Sequence, residues 1–187
     1  MKSIDVEIEL APNEEKEFLK NLPPQKTIEV DGVKILLVHG SPRRNNEDIL
    51  PDTPMFEIEK MVKDLDVSVV LCGHTHIPCG FQTVDKKTVV NVGSVGRPFT
   101  QEPKACYLRL TVTNGKCVFE HRFVEYNKDR AALKLRTREF AGSNKLANSN
   151  KVTYLCKVNF INHKIHNPLL KVWFKRNLSC CEKRESF

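Results

Sequence analysis

At 187 residues, with 40% hydrophobic and 28% charged side chains, the chain has the length of one domain and a globular composition. There is room for a small second unit at most. No apolar stretch approaches the length of a membrane span, and the first residues lack the basic, apolar and small-residue order of a signal peptide, so a cytoplasmic location is expected. The net charge of +7 is uneven: residues 1–126 carry 16 Lys and Arg against 19 Asp and Glu, a net of −3, while residues 127–187 carry 14 against 4, a net of +10. The basic excess belongs to the last third, so the overall charge does not mark the core as a nucleic-acid binder. Seven cysteines without paired spacing argue against a disulfide framework. Reduced thiols acting as small core hydrophobes are expected.

Taken in order, Ile4, Val6, Ile8 and Leu10 alternate with Asp5, Glu7 and Glu9, the pattern of a half-buried strand with a charged face at a sheet edge. Asn13, Glu14 and Glu15 open a short helix with acids at its positive end. Phe18, Leu19 and Leu22 give it an apolar side, and Pro23-Pro24 ends it. Asp31-Gly32, between residues 27–30 and 33–38, is a two-residue hairpin signal. The second strand delivers His39 into the turn His39-Gly40-Ser41-Pro42. Arg43 and Arg44 follow in a polar loop. The planar guanidinium fork suits phosphate oxygens, so Arg43 is a candidate for an anionic substrate, against the plainer reading of solvated loop charge.

Thr53-Pro54 reads as a helix cap and first turn, and Met55, Ile58, Met61, Val62 and Leu65 mark one face of an amphipathic helix. The apolar run 67–71 after it is that of a strand covered on both faces, and strand, helix, strand predicts a parallel crossover. Gly73 stops this strand, and His74-Thr75-His76-Ile77-Pro78 follows. Imidazoles at i and i+2 offer two neutral nitrogens from one turn, a pair that holds a transition metal with further ligands from elsewhere. His39, His74 and His76, in two strand-terminal turns, are the candidate metal ligands. A zinc set of Cys72, His74, His76 and Cys79 is the weaker alternative, because Cys72 precedes the turn and no second C-x-x-C pair exists.

A hairpin around residues 84–87 leads to a strand at 88–92 that closes in Gly93-Ser94-Val95-Gly96. The glycines admit close backbone approach, and Asn91 is a candidate for substrate binding or for fixing the turn through its side chain. Two structural strands, 105–113 and 116–126, are joined by Asn114-Gly115, with His121 read as a sheet histidine. A helical pattern begins at Lys128, and a short segment follows at 144–148. Residues 149–187 form a basic extension read as poorly ordered. Its basic residues lack the aromatic interleaving of a nucleic-acid binder, so neither nucleic acid nor membrane is the expected partner.

With Leu37-Val38-His39-Gly40-Ser41, Cys72-Gly73-His74-Thr75-His76-Ile77-Pro78 and Asn91-Val92-Gly93-Ser94-Val95-Gly96 in this order, residues 10–148 resemble the calcineurin-like metallophosphoesterases. The resemblance is to their compact bacterial and archaeal phosphodiesterase-like branch. It implies an α/β fold: part of a four-layer α-β-β-α sandwich lacking the N-terminal strands, with residues 1–148 as the carboxyl-terminal portion of the domain. It also implies a pair of divalent cations, often manganese. His39 and His74 resemble ligands to the second metal, and His76 resembles a ligand to the first. The reaction implied is hydrolysis of a phosphomonoester or phosphodiester by metal-activated water, with no covalent protein nucleophile.

The family motifs D-x-H, G-D-x-x-D and G-N-H do not occur in this sequence, so no catalytic residue is assigned. Without a carboxylate between two cations, the chain by itself is expected to hold at most one ion, weakly. The missing half is expected from another polypeptide or a longer chain, with self-association through uncovered edges. Two functions follow. One is a metal-dependent phosphoesterase whose histidine half lies in this chain; the other is a catalytically incomplete member acting as a protein-binding scaffold.

Overall fold

The computed structural model describes residues 13–102, 104–137 and 143–148. Helix α1 (Asn13–Lys20) precedes a mixed sheet formed by β1 (Gln25–Val30), β2 (Val33–Val38), β3 (Val69–Cys72), β4 (Cys79–Gln82) and β5 (Thr88–Asn91), in the order β1-β2-β3-β5-β4. β1 and β2 meet across Asp31-Gly32, whose φ values of 49° and 75° are the left-handed pair that a two-residue hairpin turn requires. Helix α2 (Met55–Val62) carries the chain from β2 to β3, and the two strands are parallel, with Ile35 beside Val69 and Leu37 beside Leu71. This is the expected crossover. β3 and β5 are also parallel, and β4 closes the edge antiparallel to β5.

The continuous apolar runs have a simple cause, which is burial on both faces. Leu36, Val38, Val70, Cys72 and Val89 pack with Ile58, Met61 and Val62 of α2. On the opposite face Val33, Ile35, Leu37, Val69, Leu71 and Val90 meet Leu108, Leu110, Val112, Cys117 and Phe119. These belong to a second, two-stranded sheet of β6 (Ala105–Thr113) and β7 (Lys116–Val124). Each such fully buried aliphatic side chain stabilises the fold by about 1.5–3 kcal/mol before entropy is counted. The layers run helix, sheet, sheet. Helices α3 (Lys128–Arg136) and α4 (Ser143–Ala147) share a smaller cluster of Ala131, Leu135 and Ala147.

Polar ties hold the layers in register. Lys87 Nζ donates to the carbonyls of Val62 (2.8 Å), Lys63 (2.9 Å) and Leu65 (2.8 Å), placing an ammonium on the negative end of α2. At the sheet end opposite the histidines, Gly115 N donates to Asp31 Oδ2 at 3.3 Å, joining the two hairpin tips.

Two local expectations change. α1 has no buried residue and Phe18 is 49% exposed, so the predicted apolar side is not covered by the described residues. Thr53 Oγ1 accepts from Leu50 N at 2.8 Å and closes the turn before α2, leaving Pro54 at the cap with no side-chain bond. Cys72, Cys79, Cys106 and Cys117 are free and lie on strands, as expected. No helix among the described residues is long and apolar enough to cross a membrane. The strand predicted at 3–10 and the basic extension at 149–187 lie outside the described residues.

Candidate functional site

Because β2 and β3 are parallel, their carboxyl ends open at the same edge of the sheet. His39 follows β2 directly, His74 lies two residues past β3, and Gly73 N donates to His39 O at 2.8 Å, splicing the two turns. His39 Nε2 and His74 Nδ1 are 3.2 Å apart, with the rings edge to face at a centroid distance of 5.1 Å. On its other side His74 Nε2 lies 3.4 Å from Asp48 Oδ1. A carboxylate there favours the proton on Nε2, which leaves the Nδ1 lone pair facing His39.

The turn bearing His74 and His76 is held in an uncommon backbone shape. Their φ values are 66° and 61°, left-handed for two non-glycine residues. Each costs about 1–3 kcal/mol and persists only where the surroundings over-determine it. Asn91 supplies that determination. Its Nδ2 donates to Gly73 O (2.7 Å) and Thr75 Oγ1 (2.9 Å) and approaches Ile49 O (3.4 Å), while its Oδ1 accepts from Gly93 N (3.0 Å). His121 Nε2 donates to the Asn91 carbonyl at 2.7 Å. Asn91 is completely buried. Of its two anticipated uses, fixing a turn is the one the geometry displays, and it fixes the histidine turn as well as its own.

His76 has different neighbours. Its Nδ1 lies 2.8 Å from the Arg97 carbonyl, which can only accept, so Nδ1 carries the proton and Nε2 keeps its lone pair. Burial holds the imidazole below the usual histidine range; the bond to Arg97 O opposes this and the Arg97 charge adds to it. The ring is therefore neutral at neutral pH. Phe99 N donates back to His76 O (3.3 Å), and the Phe99 ring lies 5.8 Å from the imidazole, with the Arg97 guanidinium 5.1 Å from the Phe99 centroid.

Arg43, the candidate for an anionic substrate, already holds a carboxylate. Its Nε and Nη2 donate to Glu47 Oε2 (3.0 Å) and Oε1 (2.6 Å), and Ser41 Oγ donates to the same carboxylate. The Arg43 hydrogen bonds, helped by Ser41 and Arg44, bring the Glu47 carboxyl to a pKa of about 2 although desolvation opposes them. Glu47 and Asp48 escaped sequence reasoning; the available signal was the i,i+4 spacing of Arg43 and Glu47, which suits an ion pair.

The cysteine alternative fares poorly. Cys72 is fully buried and its Sγ donates to Val90 O at 3.5 Å, and burial pushes its thiol pKa up. Cys72 packs in the core beneath α2, Cys79 Sγ is turned to Ile49 O at 3.9 Å, and burial pushes the Cys79 thiol up to about 11. Among the described residues no group of three or more His, Cys, Asp or Glu side chains forms a metal cluster. The His39–His74 contact is a hydrogen bond between ring nitrogens, and its length is one that two ligands of a single cation also have. Two nitrogens about 2.0–2.1 Å from one ion, at angles between square and tetrahedral, lie about 2.9–3.4 Å apart. The observed 3.2 Å is in that range.

Residues 4–115 match the family model described as the calcineurin-like phosphoesterase superfamily domain. Among solved structures, the chain is similar to a hypothetical protein from Pyrococcus horikoshii OT3, at 25% identity and a TM-score of 0.62, over 72% of this chain and 53% of that one. It is also similar to a metallophosphoesterase from Sphaerobacter thermophilus, at 20% identity and a TM-score of 0.60, over 75% of this chain and 62% of that one. The chain thus spans 53% and 62% of the length of these two proteins. No curated protein sequence matches it. The family match takes in both histidine turns and the central strands and runs over more than half of the residues: the chain belongs to the calcineurin-like phosphoesterase superfamily.

Proposed function

We propose that the chain carries the histidine half of a metal-dependent phosphoesterase site, acting on phosphomonoesters or phosphodiesters. The observation that carries this reading is the approach of His39 Nε2 to His74 Nδ1 at 3.2 Å, at the open end of two parallel strands. In this reading the pair holds one divalent cation, manganese being the ion proposed, and Asp48 orients His74. His76 keeps Nε2 unprotonated through its bond to Arg97 O, ready as a ligand to a second cation. A divalent cation supplies positive charge to a phosphoester and acidity to water. The protein contributes neutral nitrogens at fixed places, held by Asn91, and no covalent nucleophile is needed.

Three neutral imidazoles cannot offset the repulsion of two cations, so the reading includes carboxylates from a further polypeptide segment, a partner chain or a second copy. Four free thiols on strands support a reducing, cytoplasmic setting. The test is a manganese titration followed by melting temperature. Wild type should rise by several degrees and His74→Ala should not, since a ligand bound only by the folded state stabilises it by mass action. Hydrolysis of bis-p-nitrophenyl phosphate, lost in His76→Ala, would extend the result to catalysis. Wild type unmoved by manganese would overturn the reading and leave the fold as a binding scaffold.

A further inference from the structure

We propose that Arg97 is the residue of this chain that receives the anionic oxygens of a phosphoester, beside His76. The inference rests on the phosphoesterase reading and deepens it by naming the substrate-anion contact. Three features of the structure support it.

The first is position. Arg97 N donates to Ser94 Oγ at 3.0 Å, its carbonyl accepts from His76 Nδ1 at 2.8 Å, and the following Pro98 is completely buried. These ties fix the Cα of an otherwise exposed residue next to a candidate ligand. The second is orientation. The guanidinium carbon lies 5.1 Å from the centroid of Phe99, whose ring is 5.8 Å from that of His76. An aromatic face attracts the cation without neutralising it as a carboxylate would, so the N–H groups that grip phosphate oxygens two at a time stay available.

The third feature is vacancy of charge. Arg43 and Arg44 share Glu47, and Arg109 and Arg122 share Glu120. Among the described residues Arg97 forms no ion pair. An exposed arginine loses little hydration when it meets an anion, whereas Arg43 must first give up a bidentate carboxylate. Arg97 is thus the arginine beside the histidine turn that is both held in place and open to an anion.

The experiment is calorimetric titration of inorganic phosphate, with and without manganese, into wild type and the variants Arg97→Met, Arg97→Lys and Arg43→Met. Arg97→Met should weaken phosphate binding about tenfold, the loss of one charge-assisted contact. Arg97→Lys should recover part of it, to about threefold below wild type, because a point charge lacks the fork. Arg43→Met should stay within about twofold of wild type. Unchanged affinity in Arg97→Met, equal loss in Arg97→Met and Arg43→Met, or no phosphate binding by wild type in either condition would overturn the proposal. The manganese melting shift judges the metal reading separately, so the two failures are distinguishable.

Discussion

The two turns that flank the histidines share a glycine, a serine and an arginine, and differ in what meets the arginine. Each places a glycine and a serine after a strand, and in each the serine Oγ accepts the amide of an arginine three residues on: Arg44 to Ser41 at 3.2 Å, Arg97 to Ser94 at 3.0 Å. In the first turn Glu47 then reaches back to Ser41, Arg43 and Arg44 together. In the second, an aromatic ring takes the place of the carboxylate. The first turn is a closed structural clamp, and the second is a charge held in readiness. The role of an arginine is set by what its own turn supplies to neutralise it.

The comparison can be broken most severely at the residue beneath the second turn. Asn91→Ala removes three side-chain hydrogen bonds at once, those to Gly73 O and Thr75 Oγ1 and the one from Gly93 N. It should cost about 2–4 kcal/mol in a urea unfolding curve, as expected when several buried polar groups lose their bonds. The first turn is next in sensitivity. A Cβ at Gly40 would lie 2.5 Å from Asn45 O, a backbone atom that cannot swing aside, so Gly40→Ala should lose about 1–3 kcal/mol. Manganese binding should weaken with it, since His39 precedes that glycine.

The finest test is acid. Glu47 falls from an ordinary carboxyl value of 4.5 to about 2 in the folded chain, so its contribution is complete above pH 4.5 and fades as the pH drops through 2. Glu47→Gln should cost about 1 kcal/mol at neutral pH, and the gap to wild type should close over that window. A gap independent of pH would show that the clamp is not charge-based.

Much of the fold was legible because its causes are local. Two-sided burial writes residues 35–38 and 69–72 as unbroken apolar runs, and the left-handed turns write themselves as Asp31-Gly32 and Asn114-Gly115. The histidines were legible for the same reason: each follows a run that stops at a glycine or beside one. The partners were not. Asp48 meets His74 and Arg97 meets His76 only once parallel register has brought separate turns to one edge. Asn91 reaches Gly73 across 18 positions for the same reason. The apolar side of α1 marks the opposite case, since periodicity records that a helix has two faces and not what lies against them.

Lys87 carries a last consequence. With its ammonium engaged by three carbonyls at the end of α2, its amine is withheld from acylating reagents as long as the helix and the β4–β5 hairpin stay docked. Its neighbour Lys86 stands in solvent with no such tie. The adjacent pair is therefore an internal gauge of folding: the ratio of modification at 87 to that at 86 tracks how often this face of the sheet opens, independently of any ligand.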